Sequence, residues 1–299
     1  MENDFEELRK RMISTAKEKI KLNYESEEYA LIQAINAYNE AVKSQNLFYE
    51  RLTEWYGLYF PEINVSSPKA LASLVLILNS DREIGREAIE SAIGDASKAE
   101  SIEKKLKDSI GRRMGDEERN VVIEYAKLLL EISDSIDKLE LYISAASQRL
   151  LPNTAYLTDD KIAAELLSKA GSMERLATFP ASTVQLLGAE KALFKHIKFG
   201  SKPPKYGVIF KLPEVTNARK DIKGRIARLY ATKITMALKA DYYTKNFIAE
   251  KLKVDIDNGI KRITSSPVKE KPTRQYDSNR QGHGHGRKFD GKKRFNRRR

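Results

Sequence analysis

Cysteine is absent from the sequence, and only three histidines occur among its 299 residues. The lack of cysteine excludes disulfides, thiolate zinc sites and cysteine nucleophiles. Two histidines, His283 and His285, lie near the C-terminal end, so a catalytic triad or a histidine metal site would have to form around His196. Phosphate-binding glycine motifs are missing as well. We therefore predict no catalytic residue, no metal, no cofactor and no enzymatic activity.

Glycine and proline are scarce, at 15 and 9 residues, whereas helix-forming residues are abundant. Few helix breakers and many helix formers favour long helices over many short strands. The longest apolar run in the first half, around Ala72–Leu78, is too short to span a bilayer. The N-terminal MENDFEELRKR lacks the apolar core of a signal peptide. We expect a cytoplasmic protein without a membrane segment.

Two long stretches, Tyr24–Tyr59 and Glu117–Leu150, repeat their apolar residues with the period of a helix. Helices of this length are typical of coiled coils and bundles. Shorter helices are predicted between them, over Pro68–Leu78 and Ser97–Ile110. The simplest arrangement is an antiparallel pair of long helices with a small helical cap at one end. An ordinary four-helix bundle shares most of these features.

A proline at Leu151-Pro152-Asn153 breaks the second long stretch and marks the start of a compact domain of shorter helices. Within it, Val208–Phe210 is predicted to be extended. Asp221 is predicted to cap a helix that ends near Asp241, and a last helix is predicted over Lys245–Ile263.

The predicted fold class is all-α, in four parts. Residues 1–23 form an N-terminal linker or the start of a helix, and residues 24–151 form a coiled-coil domain of antiparallel helices with the cap. Residues 152–263 form the compact helical domain, and residues 264–299 form a disordered basic tail. The tail has no apolar periodicity, so it cannot bury enough apolar area to offset the entropy lost on ordering.

Charge is distributed unevenly along the chain. Residues 1–151 hold 21 Lys and Arg against 28 Asp and Glu, residues 152–263 hold 21 against 11, and residues 264–299 hold 12 against 3. An acidic half followed by a basic half and a basic tail indicates a partner-binding part joined to a part that binds a polyanion. A tail that only raises solubility would have the same composition.

The first basic element of the compact domain is a helix predicted over Ala189–Lys198 and ended by Gly200. Three lysines share one of its faces, without an acidic residue four positions away: Lys191, Lys195 and Lys198. Its apolar residues are expected to point towards a core: Leu193, Phe194 and Ile197. Gly188, just before the helix, allows close approach of the backbone to another backbone or to a phosphate.

Two further basic elements follow, a proline-stiffened loop over Gly200–Gly207 and a helix that includes Lys223–Lys233. Tyr206 in the loop could stack on an unstacked base, and arginines on the helix can hold phosphates with two hydrogen bonds each. Each element alone is most often a solvated basic face, but three in succession favour RNA or DNA binding. The predicted RNA-binding residues are Lys191, Lys195, Lys198, Lys202, Lys205, Tyr206, Arg225, Arg228 and Lys233.

Several segments resemble one protein family. FPASTVQLLGAEKALFKHIKFG (179–200), PPKYGVIF (203–210) and KGRIARLYATKITMALKADYY (223–243) resemble the Nop domain of archaeal scaffold proteins in box C/D guide ribonucleoproteins. Upstream, LTEWYGLYFPEI (52–63) and LLPNTAYL (150–157) are similar to the family's coiled coil and its junction with the Nop domain. The most specific block of this signature is Gly188, Ala189, Glu190 and Lys191.

The resemblance implies partners that composition does not give. The Nop domain is expected to recognise a kink-turn guide RNA together with the ribosomal-type protein that binds it. The coiled coil is expected to form a homodimer, and a separate fibrillarin-type methyltransferase is expected to methylate RNA 2′-hydroxyls on the assembled particle.

One departure from the family concerns the methyltransferase. Family members usually carry an N-terminal α/β domain that holds this enzyme, and MENDFEELRKRMISTAKEKIK stands in its place. Recruitment is then lost, supplied by a separate chain, or missing through a truncated sequence. The alternative function is RNA tethering through the basic tail, without a role in methylation.

Overall fold

A computed structural model describes residues 2–78, 84–265 and 267 of the chain. The predicted all-α class is confirmed, since this part of the chain contains α-helices, one 3₁₀-helix and one π-helical turn, and no strand. The predicted disordered tail lies almost entirely outside the described residues. The helices are α1 Glu2–Tyr24, α2 Glu27–Tyr56, α3 Pro68–Leu78, α4 Arg86–Ile93, α5 Ala96–Lys107, α6 Asp116–Leu150, α7 Pro152–Thr158, α8 Asp160–Ala170, α9 Met173–Thr178, α10 Ala181–Leu186, α11 Glu190–Phe199, α12 Pro213–Thr216, α13 Lys223–Lys239 and α14 Ala249–Thr264.

The two longest helices, α2 and α6, have 30 and 35 residues. At 1.5 Å per residue they are about 45 and 52 Å long. Residues that come later in α2 contact residues that come earlier in α6: Glu27 contacts Arg149, Tyr38 contacts Glu140, Gln45 contacts Ser133, and Phe48 contacts Tyr125. The predicted antiparallel pair is therefore confirmed.

A helical cap of α3, α4 and α5 covers one end of this pair and shares a hydrophobic core with it. The predicted helix over 97–110 ends earlier, at Lys107. Glu62 explains the end of this helix, because its carboxylate accepts hydrogen bonds from the Ser109 hydroxyl at 2.7 Å and from the Ile110 N–H at 3.1 Å. These bonds hold the chain away from a further helical turn.

At the other end, α2 and α6 enter the core of the compact domain. Leu31, Ile35, Ile143 and Ala146 are buried in the same cluster as the apolar residues of α8, α13 and α14. The coiled coil and the compact domain thus share one core at their junction, so packing fixes the direction in which the long helices leave the domain.

The junction also contains a buried carboxylate, Asp241. One of its oxygens accepts from the backbone N–H of Asn153 at 2.9 Å and from the Asn153 amide Nδ2 at 2.8 Å. The other accepts from the backbone N–H and the hydroxyl of Thr154, at 3.0 and 2.7 Å. Asp241 therefore ties the end of α13 to the first turn of α7, where backbone N–H groups would otherwise lack partners.

Two local predictions between residues 208 and 223 were wrong. Val208–Lys211 is a 3₁₀-helix and not an extended segment, with the Phe210 N–H donating to the Gly207 carbonyl at 3.0 Å. The helix expected to be capped by Asp221 begins at Lys223 without a side-chain cap.

The last helix begins at Ala249, four residues later than predicted. Lys245 has a left-handed backbone with φ of 57°, which ends the preceding π-helical turn. The next residues turn back towards Asn153, whose amide donates to the Asn246 carbonyl and accepts from the Ile248 N–H. No helix in the described part of the chain is long and apolar enough to cross a bilayer.

Replacing Asp241 with Asn tests the junction. The amide nitrogen of the variant would face two donors of Asn153 or Thr154, so we expect the free energy of unfolding to fall by about 3 kcal/mol in urea titrations. The matched change Asp108→Asn, at an exposed position after α5, should change it by less than about 0.5 kcal/mol. Equal losses in the two variants would show that the Asp241 network contributes nothing.

Candidate nucleic-acid interface

The proline-containing loop Gly200–Gly207 is anchored to α10 by a buried amide. Gln185 Nε2 donates to the Lys205 carbonyl at 2.6 Å. In return, the Gly207 N–H donates to the Gln185 carbonyl at 2.9 Å. Both the side-chain amide and the backbone carbonyl of Gln185 are thus hydrogen-bonded to the loop. These bonds hold the loop in one position beside α10, so its shape does not depend on a ligand.

Two glycines allow the chain to pass closely at this point. Gly188 has φ of 90°, and a Cβ atom there would lie 2.7 Å from Val208 Cγ2. A Cβ atom at Gly207 would lie 2.0 Å from the Leu187 carbonyl oxygen. Of the roles predicted for Gly188, close approach to another part of the protein is therefore the one observed, and the Gly188 N–H donates to Glu190 Oε1 at 2.6 Å.

A groove of about 760 Å³ lies between α10, the loop and the first turns of α13. It brings together three of the predicted RNA-binding residues, Lys205, Arg225 and Arg228. Among the described residues that line it, Asp221 is the one carboxylate, and it forms an ion pair with Arg219 at 3.6 Å. Lys205 and Arg228 form no ion pair with any described residue. The groove is thus a cationic surface suited to a polyanion.

Helix α11 projects from the domain without burying any of its residues. Its lysines Lys191, Lys195 and Lys198 are exposed, as predicted for one face. The expectation that Phe194 and Ile197 point towards a core was wrong, since they are 59% and 75% exposed.

Only Leu193 of the predicted inward set is half-buried, beside α10. Phe199, at the end of α11, is a further exposed apolar residue, and Lys198 Nζ lies 5.3 Å from its ring centroid and 5.5 Å from that of Phe194. Helical periodicity locates an apolar face but does not tell whether the face covers the core or meets another molecule. Large exposed apolar residues on a charged helix indicate a contact surface for a partner.

Tyr206 and Lys202 lie on the loop between the groove and α11. Lys202 is exposed, whereas Tyr206 is half-buried with its ring stacked on Phe210 at a centroid distance of 4.7 Å. One face of the Tyr206 ring is therefore covered by the protein. No role was predicted from the sequence for Phe210 or for the amide of Gln185. Phe210 lies only four positions from Tyr206, whereas Lys205, the partner of Gln185, lies 20 positions away.

Lys233 differs from the other predicted RNA-binding residues. Its Nζ lies 2.6 Å from Asp255 Oδ2, and its side chain is only 19% exposed. The hydrogen bond from Lys233 lowers the pKa of the Asp255 carboxyl. This lysine therefore joins α13 to α14, and its charge is balanced within the protein.

Two glycine substitutions test the close contact behind the interface. Gly188→Ala adds a methyl group against Val208, whereas Gly171→Ala has a similar φ of 88° but open space around the added atom. We expect Gly188→Ala to lower the free energy of unfolding by about 1 kcal/mol more than Gly171→Ala, through overpacking. Adding Val208→Ala should recover part of the difference, as measured in a double-mutant cycle. Equal losses for the two glycine variants would contradict the contact.

Comparison with known proteins supports the sequence resemblance. Residues 37–262 match the family model described as "Nop: snoRNA binding domain, fibrillarin". An uncharacterized NOP5 family protein of Methanocaldococcus jannaschii is 32% identical over 267 residues, which cover 87% of this chain and 64% of that protein. Nucleolar protein 56 of Dictyostelium discoideum is 34% identical over 239 residues, covering 78% of this chain and 44% of that protein.

The mouse nucleolar protein 56 is 30% identical over 255 residues, which cover 83% of this chain and 44% of that protein. The chain thus spans less than two-thirds of the length of these curated relatives. A crystal structure described as a fibrillarin/Nop5p complex is similar with a TM-score of 0.48 and 22% identity, over 87% of this chain and 78% of that chain. Because the family model matches well over half of the sequence, the chain belongs to the Nop family.

Proposed function

We propose that the chain is a non-catalytic, cytoplasmic RNA-binding scaffold of a box C/D-type guide ribonucleoprotein. It docks on a kink-turn RNA that already carries a ribosomal-type protein. The observation that carries this proposal is the presence of two adjoining surfaces with different chemistry, the cationic groove and helix α11. The family model, described by snoRNA binding, supports RNA as the polyanion.

The groove is the proposed contact for the RNA backbone. Arg225 and Arg228 belong to one helix, and Lys205 reaches the same groove from the anchored loop. Guanidinium groups form paired hydrogen bonds with phosphate oxygens, and a lysine adds a point charge. Because the loop is held by Gln185 before any ligand binds, less conformational entropy is lost when the RNA docks.

Helix α11 is the proposed contact for the protein bound to the RNA. Phe194, Ile197 and Phe199 offer apolar area that contributes little to phosphate binding, whereas the cores of protein interfaces are rich in aromatic residues. The lysines of α11 lie beside this area, where they can meet phosphates at the edge of the same junction. RNA without its protein would leave the apolar residues in water, so we expect weak binding to naked RNA.

The scaffold role is completed by two further partners. We propose a homodimer through the coiled coil, supported by exposed apolar residues on α6 such as Val121, Leu128 and Leu141. We also propose that a separate fibrillarin-type methyltransferase joins the particle and carries out 2′-O-methylation, because the family model names fibrillarin. The chain itself transfers no methyl group.

Two double variants separate the proposed surfaces. Lys205→Glu/Arg228→Glu should weaken RNA binding at least about tenfold with or without the kink-turn protein, since each charge-assisted hydrogen bond contributes roughly 1.5–3 kcal/mol. Phe194→Ser/Ile197→Ser should weaken binding only when the kink-turn protein is present. Fluorescence polarisation with a labelled kink-turn RNA, at several salt concentrations, measures both effects.

The control Lys239→Glu/Lys251→Glu makes the same charge change at exposed positions that do not line the groove, and it should leave the affinity nearly unchanged. If this control loses as much affinity as the groove variant, the weaker binding of the groove variant is explained by net charge alone. Truncation after Ser265 addresses the tail alternative. If the truncated protein loses its affinity for kink-turn and random RNA alike, the tail binds RNA and the scaffold proposal is wrong.

A further inference from the structure

Three exposed aromatic side chains lie near the point where the compact domain joins the coiled coil. Tyr156 in α7, and Tyr243 and Phe247 after α13, are 53%, 60% and 54% exposed. The rings of Tyr156 and Phe247 meet edge to face, at a centroid distance of 5.6 Å and an interplanar angle of 87°. In such a contact the edge of one ring covers one face of the other, and the remaining ring faces are not used. We call these three residues the aromatic platform.

The backbone that carries Tyr243 and Phe247 is fixed by the junction. The π-helical turn Ala240–Thr244 contains Asp241, whose buried carboxylate is hydrogen-bonded to Asn153. The Asn153 amide also holds the backbone on both sides of Phe247, at the preceding carbonyl and the following N–H. The rings therefore project into water from a segment that buried hydrogen bonds hold in place. A ligand that binds them would not have to order this segment first.

The composition of this segment fits nucleic-acid bases better than a protein surface. The exposed large apolar side chains of α7 and of residues 240–248 are all aromatic. The three residues between Tyr243 and Phe247 are exposed and polar, with Lys245 in the middle. The cores of protein interfaces are depleted in lysine. Sites for single-stranded nucleic acid instead combine aromatic side chains with cations that follow the backbone.

The charges near the platform are also suited to RNA. Between residues 239 and 251 the exposed charged residues are Lys239, Lys245, Glu250 and Lys251. Lys239 and Lys245 form no ion pair with any described residue. Asp159, at the end of α7, accepts a hydrogen bond from a backbone N–H of α8 at 2.7 Å. Lysines thus outnumber carboxylates here, as Lys and Arg outnumber Asp and Glu over residues 152–263.

The neighbouring Tyr242 marks the limit of the platform. It is half-buried and packs against the hydrophobic core. Partial burial, and then the nearby carboxylate of Glu174, raise the pKa of its phenol. A carboxylate at this position would repel a phosphate, so Tyr242 is not included in the proposed contact.

We propose that the aromatic platform binds a single-stranded segment of RNA. Bases stack on Tyr243 and Phe247, and Lys245 contacts a phosphate between them. The proposal rests on the proposed function for RNA as the ligand, and it adds a contact separate from the cationic groove, whose lining includes none of these residues. Because every base has a ring face, stacking of this kind accepts unpaired RNA of any sequence.

An RNA with a single-stranded extension tests the platform in the full-length protein. Fluorescence polarisation compares a labelled kink-turn RNA, bound by its kink-turn protein, with the same RNA extended by about ten uridines. The extension should strengthen binding of the unsubstituted chain, and Tyr243→Ala/Phe247→Ala should reduce this gain at least about fivefold. Affinity for the RNA without the extension should not change. Tyr142→Ala, at an exposed aromatic residue of α6, is the matched control and should keep the whole gain.

Two conservative variants separate stacking from general apolar contact. Tyr243→Leu/Phe247→Leu keeps apolar side chains without rings and should lose the gain, whereas Tyr243→Trp/Phe247→Trp should keep it. The proposal would be overturned by the absence of a gain in the unsubstituted chain, or by a full gain in the alanine or leucine variant. Equal losses for both RNAs would also overturn it, because the rings would then act through the fold.

Failure of the scaffold function gives a different result. In that case the unsubstituted chain would not bind the RNA without the extension. The same variants are then compared on single-stranded oligouridine alone, where loss of affinity in the alanine and leucine variants supports the platform and unchanged affinity overturns it.

Discussion

The buried carboxylate of Asp241 is the interaction on which the arrangement of the compact domain depends. It accepts hydrogen bonds from two consecutive residues, Asn153 and Thr154, at the point where the chain leaves the coiled coil. Asp241 lies in the π-helical turn that follows α13, the helix that carries Arg225 and Arg228. The carboxylate therefore connects the direction of the long helices to the helix that forms one wall of the groove. A polar group buried at such a junction is stable only when its hydrogen bonds are complete, as they are here.

The proposed interface combines a rigid groove with a helix whose apolar side chains are not covered by the protein. The loop is fixed by Gln185 and by the close contact of Gly188 with Val208, so the groove has its shape before RNA arrives. Helix α11, by contrast, leaves its apolar residues in water. A partner that presents only phosphates can pair with the cations of the groove but cannot cover the apolar residues of α11. A partner that presents both an RNA backbone and a protein surface can do both, which is the physical basis of the selectivity that we propose.

Local sequence signals predicted much of this fold. The apolar period predicted α2 and α6, and their antiparallel pairing was the simplest arrangement of two such helices. Gly200 ends α11 as expected, and the structure shows that its backbone is left-handed. The signals failed where a distant residue decides the outcome. The 3₁₀-helix at Val208 depends on contact with Gly188, and the late start of α14 depends on the amide of Asn153. Gly188 and Asn153 are too far away in the sequence for a local pattern to indicate either contact.

The sequence also yields the candidate residues of the site, whose role in RNA binding stays a prediction. Charge and spacing identified the lysines of α11 and the arginines of α13, and the structure places Lys205, Arg225 and Arg228 on one groove. It also shows that Lys233 is paired with Asp255, and that Phe194 and Ile197 point outwards. The apolar period of a helix shows which residues share a face, but it does not show which other elements pack against that face. The outward side chains are the finding that changes the predicted partner surface from a lysine stripe to a mixed apolar and basic helix.

Hydrogen–deuterium exchange of the full chain tests the central claim most directly, because it reports on the groove and on α11 separately. The account predicts that kink-turn RNA alone protects amides near Lys205 and in the first turns of α13. Protection of Glu190–Phe199 should appear only when the RNA carries its kink-turn protein. Equal protection of α11 by naked RNA, or the absence of protection at α11 in the ternary complex, would contradict the account.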